Sequence, residues 1–180
     1  MEKAIRIRSE EGIVHSLLAL MKEKNYQEIT IEEITDRARL VRRTFYRIFS
    51  SKQQVLQSAL KEVEEQGRTL FENAVLRTPE DFCRLFFSFV GRHREFFQTL
   101  QQNQRLQPLL PDFQQWLTTV QKRGWLFLAE APDPLLLDCA AAACWSVLCW
   151  WAQPGNSLTP QQAGQRLSEV LRKLTAKEEE

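Results

Sequence analysis

The sequence predicts an all-α protein of about nine helices, and three observations carry that expectation. Apolar residues recur at helical spacing through most of the 180-residue chain, and no stretch alternates as a half-buried strand would. Three prolines each follow a capping residue, in Thr78-Pro79, Asp133-Pro134 and Thr159-Pro160. Proline suits a first helical position because the N–H it lacks would have no partner there anyway.

The first helix is expected from about Lys3 to Lys24, with Ile13, Leu17, Leu20 and Met21 as its apolar stripe. Asn25 suits a left-handed residue after the helix end, with Tyr26 folding back. Thr30 and Glu33 then form a capping box, each side chain satisfying a free N–H of the next helix's first turn. Ile31, Ile34 and Ala38 line one face of that short helix. A second short helix follows, with Val41, Phe45, Ile48 and Phe49 inward and Arg42, Arg43, Tyr46 and Arg47 outward. From Arg37 to Lys52 there are six basic residues and no acidic one. Two short helices with a basic, aromatic outer face on the second describe a helix-turn-helix. A solvated helical hairpin is the plainer reading, and clustering of the charge on one helix fits it less well.

Ser50 or Ser51 caps the next helix, which runs from Lys52 through Val55, Leu56, Ala59 and Val63 towards Phe71. Further helices are expected near 79–93, 94–103, 109–124, 134–152 and 160–174. This part is heavy in aromatics. Phe82, Phe86 and Phe89 read as packing, whereas Trp116 and Trp145 carry an N–H that needs a partner and are candidates for lining a cavity. Leu135 to Ala152 is apolar nearly all round, so it must be covered on every side.

Composition narrows the function. A net charge of +1 gives no global attraction to nucleic acid, so any electrostatic footprint is local. Cys83, Cys139, Cys144 and Cys149 form no CxxC pair, and His15 and His93 are the only histidines, so no metal site is expected. Free thiols fit a reducing cytoplasm, with a redox sensor as the other reading. No Gly-rich phosphate loop and no catalytic constellation is found, so neither an enzyme nor a bound cofactor is expected. No run of 18 apolar residues and no signal-peptide core argue for a cytoplasmic protein without a membrane partner.

The stretch ITIEEITDRARLVRRTFYRIFSSKQQVL resembles the DNA-binding signature of the TetR family of bacterial transcriptional regulators. The matching features are the Thr30 cap, Ala38, the Thr44-Phe45-Tyr46 core, Phe49, and Lys52 opening the next helix. Two positions depart from it: Arg39 stands where the family commonly has Gly, and Val41 where it commonly has Ser. If the turn needs a positive φ, Arg39 adopts it at a cost of about 1 kcal/mol. The resemblance implies a helix-turn-helix domain over residues 1–51 and a ligand-binding and dimerisation domain over 52–180. It implies contacts to double-stranded DNA from Thr30, Arg39, Arg42, Arg43, Thr44, Tyr46, Arg47 and Lys52. Arg42 and Arg43 would reach base edges, and Thr44, Tyr46 and Lys52 phosphates. A small apolar or aromatic effector would meet Phe86, Trp116 and Trp145. A homodimer would form through Ala140, Ala143, Leu167, Val170, Leu171 and Leu174. The function implied is a ligand-responsive repressor that binds a palindromic operator as a dimer and is released by a small molecule. The alternative is a protein-interaction module of the same fold without specific DNA binding, which the departures at Arg39 and Val41 keep open.

Overall fold

The computed structural model describes residues 2–122 and 134–175, with side chains over 4–122 and 134–173. All regular structure among these residues is helical, with no strand. The helices are α1 (Glu2–Glu23), α2 (Ile31–Arg37), α3 (Arg42–Ile48), α4 (Lys52–Glu72), α5 (Pro79–Arg92), α6 (Arg94–Gln102), α7 (Leu110–Lys122), α8 (Pro134–Trp151) and α9 (Pro160–Thr175). Single 3-10 turns occupy Tyr26–Glu28 and Gln107–Leu109. The chain forms two compact units, Met1–Glu72 and Asn73–Glu180, whereas the sequence predicts a boundary after residue 51. The whole of α4 falls in the first unit because Val55, Leu56 and Ala59 are buried and α4 packs on α1.

In the first unit α1 packs on α2, α3 and α4. Ile13, Leu17 and Met21 from α1 are buried with Ile34, Phe45, Phe49 and Val55. Asn25 is not left-handed as expected; its φ is −62° and ψ 137°. Its side-chain oxygen accepts from the Gln27 N–H at 2.9 Å. An asparagine that caps the next turn with its side chain has no need of the left-handed conformation. That 3-10 turn places Tyr26 inside.

In the second unit α5 packs on α9, and α8 on both α7 and α9. Thr78 with Asp81 and Thr159 with Gln162 form the boxes that start α5 and α9. The third expected cap, Asp133, lies outside the described residues. Two glycines set how closely α5 and α9 approach. A Cβ on Gly164 would stand 3.1 Å from the Cys83 carbonyl oxygen, and one on Gly91 2.6 Å from Cγ of Pro160. The loop into α9 is tied down by Arg94, which donates to the Asn156 and Leu158 carbonyls and lies 4.4 Å from the Trp151 ring.

By length and composition α8 could cross a membrane. Within its unit it buries Ala140, Ala141, Cys144, Trp145, Leu148 and Trp151.

Candidate nucleic-acid interface

The geometry of the reading head begins at Thr30. Its hydroxyl accepts from the Glu33 N–H at 3.2 Å, and the Glu33 carboxylate accepts from the Thr30 N–H at 2.9 Å. Lys24 pairs with the same carboxylate. Together these hold the Glu33 carboxyl down to about 2, with the Lys24 hydrogen bond the largest cause and Thr30 next. The cap thereby fixes where α2 starts, and Thr30 itself remains exposed.

At the other end of α2 the turn is a Schellman motif. The Arg39 N–H donates to the Asp36 carbonyl at 3.0 Å and the Leu40 N–H to the Thr35 carbonyl at 2.9 Å. Arg39 has φ 54°, the left-handed conformation that glycine adopts freely. Arginine therefore builds the turn that glycine usually builds, at some strain.

Phe45 anchors α3. It is fully buried, with its ring centroid 5.5 Å from Tyr46 and 6.2 Å from Phe49. With Phe45 pointing in, helical geometry sends Arg42, Arg43, Tyr46 and Arg47 outward, and all four are exposed. Thr44 is half-buried. Among the described residues no ion pair or side-chain hydrogen bond engages Arg39, Arg42, Arg43 or Arg47. Arg37, by contrast, pairs with Glu23 at 2.5 Å. The arginines that face outward from α3 are thus free to meet an anion. Val41 departs from expectation: it is the N-cap of α3, extended at φ −82° and ψ 149°, and 68% exposed rather than inward.

Lys52 requires a correction. Expected at a DNA phosphate, its ammonium instead donates to the carbonyls of Tyr26 (2.7 Å), Gln27 (2.9 Å) and Ile29 (2.7 Å), and sits 4.7 Å from the Tyr26 ring centroid. An ammonium has three donors, and three carbonyls take them. Lys52 is a strut between the first turn of α4 and the α1–α2 connection.

The effector candidates come together in the second unit through a further ring, Phe113, which is not among the residues the sequence singles out. Phe113 on α7 has its centroid 5.7 Å from Phe86, 5.5 Å from Trp116 and 5.0 Å from Trp145. Its spacing of three from Trp116 on a helix was the available signal. Of the six dimer candidates, Ala140, Leu167 and Leu171 are corrected: they are buried within the subunit and cannot face a second copy. Val170 is exposed, Ala143 is half-buried, and the Leu174 side chain lies outside the described residues. The surface stripe on α8 is instead Leu135, Cys139, Ala142, Ser146 and Trp150.

A capped first helix, a tight turn and a buried anchor beneath an exposed basic face define a helix-turn-helix protein with a separate helical second unit. Residues 13–59 match the family profile described as bacterial regulatory proteins, tetR family. Two curated relatives are similar. One is YxbF, an uncharacterized HTH-type transcriptional regulator of Bacillus subtilis, 22% identical over 91% of this chain and 44% of its own length. The other is EthR, an HTH-type transcriptional regulator of Mycolicibacterium smegmatis, 31% identical over 47% of this chain and 42% of its own. The chain thus spans less than half the length of either relative. Two solved structures share the fold. A TetR transcriptional regulator from Streptococcus agalactiae has a TM-score of 0.68 at 16% identity, over 94% of this chain and 97% of that one. A tetR-family regulator from Streptomyces coelicolor has a TM-score of 0.65 at 20% identity, over 92% and 81%. Residues 13–59 thus carry the N-terminal helix-turn-helix of the TetR family of bacterial regulatory proteins.

Proposed function

We propose that the chain is a cytoplasmic, DNA-binding transcriptional regulator: a repressor that reads a palindromic operator as a homodimer and releases it when a small molecule occupies the second unit. The observation that carries this reading is the outer face of α3, where Arg42, Arg43 and Arg47 are exposed and uncommitted around Tyr46 while Phe45 locks the helix from beneath. Arg42 and Arg43 are the base-edge contacts, since a guanidinium pairs bidentately with guanine in the major groove. Thr30, Arg39, Thr44, Tyr46 and Arg47 contact the backbone and fix register. A dimer reads two half-sites about 34–36 Å apart or a multiple of that. The exposed α8 stripe is the seam.

The test is selection of bound sequences from a random DNA pool. A palindrome is expected, and Arg43→Ala should cost about 1–3 kcal/mol of affinity and relax preference at one position per half-site. The second reading, a protein-interaction module, is favoured by one observation: the head of α3 presents the apolar, well-exposed Val41 rather than a phosphate-binding hydroxyl. Recovery of no enriched sequence, with binding that Arg43→Ala leaves unchanged, would decide for that module.

A further inference from the structure

Five aromatic rings from three helices converge in the second unit. Phe113 lies at their centre, and Phe82 adds a stacked contact to Phe86 at 6.0 Å and a tilted one to Trp116 at 6.5 Å. Phe86 and Trp145 are each 4% exposed, while Phe113 and Trp116 are half-buried, so the cluster reaches the surface on the α7 side. Within this apolar setting one polar group stands out. The Nε1–H of Trp145 is buried and meets no hydrogen-bond acceptor among the described residues. A buried N–H without an acceptor is destabilising, and few occur in native proteins. Phenylalanine at this place would carry no unpaired donor.

We infer that the cluster is the binding site for an uncharged planar aromatic molecule that carries one hydrogen-bond acceptor, such as a carbonyl oxygen, and that this acceptor takes the Trp145 Nε1–H. The rings supply offset and edge contacts to a planar ligand. None of the five side chains carries a charge, so they offer an ionised ligand no counter-charge. Trp145 then sets specificity: a site built to donate a hydrogen bond rejects the analogue that lacks the acceptor. This rests on the effector-responsive reading above and extends it to a ligand class.

The experiment uses two probes of nearly identical shape, 2-acetylnaphthalene and 2-isopropenylnaphthalene, which differ in a carbonyl oxygen against a methylene. Binding to the full chain is measured by calorimetry without DNA. The acetyl probe should bind about tenfold tighter, the worth of one neutral hydrogen bond. In Trp145→Phe the two should bind within about twofold of each other. Equal affinities in the parent, no binding of either probe, or a preference that survives in Trp145→Phe would each overturn the inference. The parent comparison decides alone if the variant does not fold. DNA selection is read separately, so the two proposals fail independently. If the acetyl probe binds as expected but leaves operator affinity unchanged, the site stands and its effector role falls.

Discussion

The Lys52 ammonium donates to the Ile29 carbonyl at 2.7 Å, tying the first turn of α4 to the residue just before the cap of α2. With the Tyr26 and Gln27 carbonyls on the same nitrogen, it fixes where the helix-turn-helix starts relative to α4. Lys52→Met should therefore lower unfolding stability by about 1.5–3 kcal/mol, the range for hydrogen bonds to a charged group. Measured where both proteins are folded, the salt dependence of DNA binding should keep the parent's slope. A slope flatter by about one with unchanged stability would return Lys52 to a phosphate.

Arg39 offers a second separation of fold from contact. Its left-handed backbone costs a residue with a Cβ about 1 kcal/mol, and glycine removes that strain while adding freedom to the unfolded chain. Arg39→Gly should thus raise stability by a few tenths to about 1 kcal/mol in thermal unfolding. Loss of the guanidinium should at the same time weaken DNA binding across all sequences alike. A destabilised Arg39→Gly would mean that the guanidinium stabilises the turn by more than the strain it relieves.

Acid should loosen the same unit. Glu33 titrates at about 2 when folded, against an ordinary 4.5, because Lys24 and Thr30 hold its charged form. A folded value below the unfolded one means this contribution is present above about pH 4.5 and is lost as pH falls towards 2. The melting temperature of the parent should fall through that window more steeply than that of Glu33→Gln. Parallel curves would show that the box contributes nothing pH-dependent.

Local patterns were legible in the sequence and long-range ones were not. Thr30 and Glu33 are three residues apart, and the prolines sit beside their caps, so those helix starts could be read directly. Phe45 was placed inside by its spacing from Phe49 and Ile48. Val41 fits the same spacing yet lies outside, because an N-cap residue is extended and does not follow the helical projection. Lys52 was misplaced because its carbonyl partners are 23 to 26 residues upstream, where no spacing rule reaches. For α9, the pattern gave an apolar stripe at Ala163, Leu167 and Leu171 but not its partner. The close approach at Gly164 directs that stripe to α5.

The revised seam on α8 can be told from the core by charge. Leu135, Cys139, Ala142, Ser146 and Trp150 recur at intervals of four and three on one face, with Leu135 68% and Trp150 46% exposed. A second copy would bury this stripe, so Trp150→Asp should leave a folded monomer in sedimentation at micromolar concentration and weaken operator binding. Leu167 is fully buried, and Leu167→Asp should instead unfold the second unit, at a cost of several kcal/mol for a stranded charge. Cys139 reports the same event chemically. Burial pushes the Cys83 thiol up to about 12 and Cys144 higher still, so alkylation of the folded chain should fall chiefly on Cys139. Its labelling rate should drop as protein concentration rises through the dimer range, and stay constant in Trp150→Asp. A parent that is already monomeric at micromolar concentration, or a Trp150→Asp protein that still sediments as a dimer, would place the seam elsewhere or remove it.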